Sequence, residues 1–239
     1  MKFGVKTYDG EDFLDFFIDK CDFFEVQAVQ TNDYNFLKKY KLPIVIHCEH
    51  EVFGINIADS SKKDLNLQAV HFAKVIADSV KAKKIIIHPG VLENENCSKE
   101  NSINFLKECC DSRFCIENLP YSNYENKSIK LCSEPKEMQE FLDKTELGFC
   151  FDINHAIEYA LELGLNYITV LKEFAKIKAV HYHLGGENME KRESHFSFAN
   201  SDLDLDLIFK ILPKKAEITL EVENDKESVL RDLKVVGRV

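Results

Sequence analysis

Eight short apolar runs, each rich in Val, Ile, Phe or Cys, punctuate this chain: residues 3–7, 23–28, 44–47, 84–88, 114–117, 148–152, 179–184 and 217–222. Runs of this length and composition read as strands. Between most of them lies a segment of helical periodicity. The clearest covers residues 65–76, with Ser60-Ser61-Lys62-Lys63-Asp64 before it as an N-terminal cap region. The others cover residues 102–110, 134–143, 155–163, 168–174 and 203–212. Strand then helix, eight times in 239 residues, is the count of an α/β architecture closed into a (β/α)8 TIM barrel. A doubly wound open sheet fits six strands better and would place a Gly-rich phosphate loop after its first strand. No such loop follows residues 3–7.

Composition narrows the class further. A hydrophobic content of 45% supports one large core, and no Pro/Gly/Ser-rich linker, low-complexity tract or charge block divides the chain, so residues 1–239 read as a single domain. No apolar run approaches the roughly 20 residues of a membrane span. MKFGVKTYDG has no signal-peptide layout. The eight cysteines are scattered without a CxxC pair, as expected of reduced, mostly buried thiols in a cytoplasmic protein. A net charge of -10 argues against a generally basic nucleic-acid binder and leaves room for a local basic rim around a metal-loaded groove.

The polar residues concentrate where a barrel keeps its active site, at the C-terminal ends of the strands. Run after run ends in a metal-capable group: His47 with His50 just beyond, His88, Glu117, Asp152 with His155 just beyond, His183, and Glu221. In residues 179–184, strand alternation puts His181 and His183 on one face. The run stops at Gly185-Gly186 and passes into a polar loop carrying Glu193-Ser194-His195. Of eight histidines only His71 sits mid-helix, where it reads as an ordinary helix residue. Carboxylates converging from several strands repel one another unless cations hold them together. No Ser-His-Asp set competes with this reading.

The chain resembles the xylose isomerase-like barrel superfamily and, within it, the AP endonuclease family 2 (endonuclease IV) branch. The resemblance is carried by His50-Glu51-Val52-Phe53-Gly54-Ile55-Asn56, Ile87-His88-Pro89-Gly90, Ile116-Glu117-Asn118, Cys150-Phe151-Asp152-Ile153-Asn154-His155, His183-Leu184, Glu193-Ser194-His195-Phe196-Ser197 and Leu220-Glu221. It implies a first zinc held by His50 (or His47), His88 and Glu117. It implies a second held by Glu117, Asp152, His183 and Glu221, with Glu117 bridging, and a third held by His155, Glu193 and His195. Glu117, Asp152 and Glu221 are then the catalytic candidates. Phe53, where the family places an aromatic that probes the duplex, and Asn56 are the substrate-binding candidates. Three departures stand out. Glu193 replaces the family's usual Asp. His50 keeps the family's spacing to Asn56 while His47 sits at the strand end. The connection over residues 29–43, long and basic in DNA-cleaving members, is short here. His181 has no counterpart in the pattern and reads as barrel lining.

The resemblance implies a zinc-dependent hydrolase of DNA repair that cuts phosphodiesters 5′ to abasic sites, with damaged DNA as its partner and two or three Zn2+ ions. A sugar or sugar-phosphate isomerase or epimerase of the same superfamily is the alternative. That chemistry uses one divalent ion, Mn2+ or Mg2+, on Glu117, Asp152, His183 and Glu221, with Glu117 and Glu221 shuttling protons. A barrel that only binds a metal or small ligand is the third possibility, and so many convergent ionisable groups argue against it.

Overall fold

A computed structural model of the protein describes residues 1–8, 10–122 and 128–238. Eight parallel strands close into a barrel: β1 (Lys2–Thr7), β2 (Phe23–Gln27), β3 (Ile44–His47), β4 (Ile85–Ile87), β5 (Phe114–Glu117), β6 (Gly148–Asp152), β7 (His181–Leu184) and β8 (Glu217–Leu220). Each is hydrogen-bonded to its neighbours in chain order, and β8 returns to β1 with Lys2 opposite Glu217. The outer layer is α1 (Glu11–Phe17), α2 (Lys63–Val80), α3 (Lys99–Cys109), α4 (Pro135–Thr145), α5 (Ile153–Glu162), α6 (Tyr167–Phe174), α7 (Leu205–Ile211) and α8 (Lys226–Val235). None of the helices among the described residues is long and apolar enough to cross a membrane.

All eight expected strands form, trimmed by one or two residues at most. The helices differ more. α1 and α8, of seven and ten residues, are additions to the sequence reading. The crossover from β2 to β3 carries only a 3-10 turn, Asn35–Lys39, whereas that from β6 to β7 carries both α5 and α6. The asymmetry is compensated by packing: Tyr34 and Tyr40 of the short crossover are buried against the sheet.

Two apolar cores result. The larger lies between strands and helices. The smaller is the plug of the barrel itself, Phe23, Val45, Ile86, Cys115 and Cys150. Phe23 fits there because residue 4 of β1 is glycine: a Cβ on Gly4 would stand 2.2 Å from the Phe23 ring. Only one layer of such side chains seals the barrel. Above it the interior turns polar, with Lys6, Glu25, His47, Glu117, Asp152, His181, His183 and Thr219 all buried.

Below the plug, at the N-terminal end, Glu217 receives Lys2 Nζ at 2.8 Å and Lys84 Nζ at 2.7 Å. Burial alone would raise its carboxyl, but the two lysines reverse this and hold it at about 2. A carboxylate depressed below its unfolded value of about 4.3 adds stability above that pH, and the contribution disappears as pH falls toward 2. Because the pair is partly exposed, solvent screening keeps the effect small. Glu217→Gln is therefore expected to lower Tm slightly at pH 7, with the difference shrinking between pH 4.5 and 2. Thermal unfolding across that range checks it; a pH-independent difference would remove the linkage.

Candidate metal centre

The centre is organised by how β5, β6 and β7 end. Asp152 closes β6 and is also the N-cap of α5, its Oδ1 accepting the His155 amide at 2.8 Å. The cap commits one carboxylate oxygen to the helix and leaves Oδ2 buried with no hydrogen-bond partner among the described residues. It also sets His155 in the first helical turn, three residues on. Asn118, just past β5, locks the two strand ends together: its side chain donates to Asp152 O and accepts from Asp152 N, both at 2.8 Å. Its carbonyl accepts from His155 Nδ1, also at 2.8 Å.

Glu117 is the hub. Its Oε2 lies 3.1 Å from His47 Nε2 and 3.4 Å from His88 Nε2; its Oε1 lies 3.3 Å from His183 Nδ1 and 3.4 Å from His155 Nδ1. His183 Nδ1 is also 2.9 Å from Glu221 Oε2 and 3.7 Å from Asp152 Oδ2, so three carboxylates converge on one imidazole nitrogen. The structure brings both third-strand histidines into the centre with different partners. His47 faces Glu117, while His50 stacks on His88 at 4.3 Å between centroids and joins Glu51. Glu51 also accepts from His88 Nδ1 at 2.9 Å and is itself held by Lys130 at 3.0 Å.

On the far side, His195 Nε2 sits 3.3 Å from His155 Nε2. His195 belongs to a hairpin of Gly186–Asn188 and Glu193–Phe196 folded over the barrel mouth. It takes φ +63°, a left-handed conformation that costs energy in a side-chain-bearing residue and clusters at functional sites. Gly185 makes the approach possible, since a Cβ there would stand 2.4 Å from Glu221 O and 3.0 Å from the His195 Cα. Asn154 secures it by accepting the Gly185 amide at 2.7 Å. Glu193, expected beside His155 and His195, is instead exposed on the hairpin: the left-handed backbone at His195 itself breaks the alternation that would otherwise set 193 and 195 on one face. Asp152 is a carboxylate within reach of both histidines.

Charge is strongly polarised. Burial favours the neutral acids, yet His183 and His88 hold Glu117 far below the carboxylate range, and Lys6 and His183 do the same for Glu221. Burial pulls His88 down, but Glu51 and Glu117 more than reverse this and push it to about 9. His50, pulled down by burial and by His88, falls to about 4, so at neutral pH it is an unprotonated imidazole. Cys150 is near Glu117 and His183, but burial raises its thiol, which leaves it a proton-bearing wall of the site.

The residues fit divalent cations. Asp152 Oδ2, Glu221 Oε2, His50 Nδ1 and His195 Nδ1 are all buried without a hydrogen-bond partner among the described residues, the kind of group a cation satisfies. Triads with donor atoms within 4.8 Å include His47/His88/Glu117, His50/Glu51/His88 and Asp152/His155/His195. Imidazole and carboxylate donors in these numbers suit zinc and, for the carboxylate-rich part, manganese or magnesium.

The substrate candidates divide. Phe53 is half-buried with its edge against the His50 ring, at the mouth. Asn56 is buried, and its amide is spent on the loop: it donates to Val91 O at 2.8 Å and accepts from Val91 N at 3.0 Å. That leaves it a loop tie, contrary to the expectation of a substrate contact. Sequence reasoning also passed over Lys6, Glu25, Glu51, Asn118 and Asn154. A lysine and a glutamate inside the apolar runs of β1 and β2 were the available signal for the first two.

The chain belongs to the xylose isomerase-like TIM barrel family, whose pattern it matches over residues 27–237. A search of curated proteins gives no match. Solved structures with the same fold include a D-tagatose 3-epimerase-like protein (18% identity, 99% of this chain and 96% of that one, TM-score 0.72). Endonuclease IV from Thermus thermophilus follows at 16% identity, 98% and 97% coverage and TM-score 0.73. The IOLI protein with a binding zinc atom stands at 14%, 99% and 96%, and 0.71. At these identities the likeness establishes the barrel and leaves the reaction open.

Gly185→Ala tests how the hairpin and the end of β8 meet. The methyl is expected to destabilise the fold by about 1–3 kcal/mol through overpacking and to weaken divalent-metal binding as Glu221 or His195 is displaced. Denaturant unfolding run beside a metal titration reads both; unchanged metal affinity would show that neither group had to move.

Proposed function

We propose that this chain is a zinc-dependent phosphodiesterase with a centre of more than one ion, hydrolysing DNA phosphodiesters 5′ to abasic sites. The observation that carries it is Glu117, whose two oxygens face separate histidine sets, His47 and His88 on one side and His183 and His155 on the other. A single-ion site has no use for a carboxylate placed between two groups of donors. Ions bound there supply Lewis-acid stabilisation of charge developing on oxygen during an in-line displacement. In this reading His47 (or His50), His88 and Glu117 hold one ion, and Glu117, Asp152, His183 and Glu221 a second. Asp152, His155 and His195 are the group placed to hold a third. The protein's part is to fix these donors, keep Glu117, Asp152 and Glu221 ionised, and leave the mouth beside Phe53 open to substrate.

DNA binding is expected to be modest. In residues 29–43 Tyr34 donates to Gln27 O, Tyr40 to Asp15, and Lys39 pairs with Glu11 and Asp15, so little of that connection remains for phosphates. Few phosphate contacts release few counterions, which predicts a shallow dependence of affinity on salt.

One observation favours a second reading, a divalent-metal sugar or sugar-phosphate isomerase or epimerase. Glu117, Asp152, His183 and Glu221 alone make a four-ligand set, and with Glu193 exposed the third group is one carboxylate poorer.

Elemental analysis of protein prepared without chelator is expected to find more than one zinc per chain, and Glu117→Gln to lower that content and abolish turnover. One manganese or magnesium per chain would favour the isomerase. An end-labelled abasic duplex should be incised 5′ to the lesion by wild type and left intact by Glu117→Gln. His195→Ala separates the readings, because phosphodiester cleavage should fall by at least about 100-fold while sugar turnover barely changes. Absence of incision together with ketose–aldose or epimer interconversion would end the phosphodiesterase proposal.

A further inference from the structure

Beneath the metal centre lies a buried polar array that none of its proposed ligands requires. Glu25, in the middle of β2, is fully buried. Its Oε2 accepts from Thr219 Oγ1 at 2.6 Å and faces His181 Nε2 and His183 Nε2, each at 3.1 Å. Its Oε1 lies 3.5 Å from Lys6 Nζ, and the same ammonium reaches Glu221 Oε1 at 2.9 Å. A carboxylate in an apolar strand is costly to bury, and the three donors gathered on one oxygen come from two other strands, β7 and β8.

We infer that Glu25 is a positioning residue for the metal centre, fixing the tautomer of His183 so that its Nδ1 lone pair faces Glu117, Asp152 and Glu221. The inference rests on the reading of His183 as a metal ligand. An ionised carboxylate is an acceptor only, so both imidazole nitrogens facing it carry hydrogen. For His181 this is enforced from below as well. Lys84 Nζ, a donor only, lies 3.3 Å from His181 Nδ1, which makes that nitrogen the acceptor and Nε2 the N–H. Lys84 is itself anchored by Val180 O at 2.6 Å and Glu217 at 2.7 Å. His181 thereby holds Glu25 from one side while Thr219 holds it from another. His183, donating from Nε2 to that fixed oxygen, is left with an unprotonated Nδ1 in its neutral form, directed at the three carboxylates. Orienting partners of this kind set both the ring angle and the basicity of a metal-binding histidine, and their loss weakens metal affinity by about 10–100-fold.

The test needs no variant to begin. Long-range 1H–15N spectra of zinc-loaded wild type are expected to show His183 with hydrogen on Nε2 and zinc on Nδ1; hydrogen on Nδ1 would overturn the inference. Glu25→Leu removes the acceptor and is expected to lower zinc affinity by about 10–100-fold, measured by competition with a chromophoric chelator, and to alter the cobalt d–d spectrum while circular dichroism stays wild-type. Glu25→Gln, whose amide oxygen still accepts from His183, should lose less. Unchanged zinc affinity in folded Glu25→Leu would overturn the inference, and should that variant fail to fold, the wild-type spectra decide. His183→Ala is the control for the underlying reading. If it leaves zinc affinity intact, His183 is no ligand and the metal-centre proposal fails. If it abolishes tight binding while Glu25→Leu does not, only the role of Glu25 is lost.

Discussion

The structure depends on how it keeps several carboxylates ionised inside one barrel. Glu25, Glu117 and Asp152 are buried, and Glu221 stands beside them at the rim of the same layer. Without compensation such groups would repel one another or take up protons. Compensation comes from Lys6, placed between Glu25 and Glu221, and from the imidazoles of His183, His88 and His155 around Glu117. The balance is incomplete, since Asp152 Oδ2 and Glu221 Oε2 find no hydrogen bond among the described residues. The missing positive charge and the missing donors fall at the same place, which is why the layer reads as a cation site and not only as a polar core.

Ordinary secondary-structure chemistry builds this arrangement. One carboxylate, Asp152, caps α5 with one oxygen and turns the other inward, and the cap in turn fixes His155. Parallel register sets Asp152 beside His183 and His183 beside Thr219, bringing groups distant in the chain to one height in the barrel. The apolar plug of Phe23, Val45, Ile86, Cys115 and Cys150 seals the barrel below and excludes the layer from solvent at that end. Exclusion of water strengthens every electrostatic contact above it, favourable and unfavourable alike.

The family's barrel hosts both phosphate and sugar chemistry, and fold alone does not decide between them. Around Glu117, Asp152, His183 and Glu221 stand further potential donors: His47, His50, His88, Glu51, His155 and His195. The left-handed backbone at His195 and the close approach over Gly185 set the hairpin tightly against the residue that follows β8. Against this, the packed tyrosines and paired Lys39 of the β2–β3 crossover leave a sparse surface for a nucleic-acid backbone.

Much of this was legible in the chain. Eight strands followed from eight apolar runs, and the ends of β3, β4, β5, β6 and β7 announced His47, His88, Glu117, Asp152 and His183, because parallel barrel strands end at the functional face whatever their order. Periodicity did not reveal α1 and α8, and it indicated no helix in the β2–β3 crossover, which carries only a 3-10 turn. Proximity in sequence misled at Glu193 and Asn56. Local spacing places a residue on an element, but the left-handed turn at His195 and the loop contacts of Val91 determine where its side chain goes. The roles of Glu25, Lys6 and Glu51 emerge only in three dimensions. Each looks like a stray charge along its own segment, and each acquires a role from donors on strands or loops tens of residues away, since tautomer, charge balance and ring orientation are properties of neighbours in space.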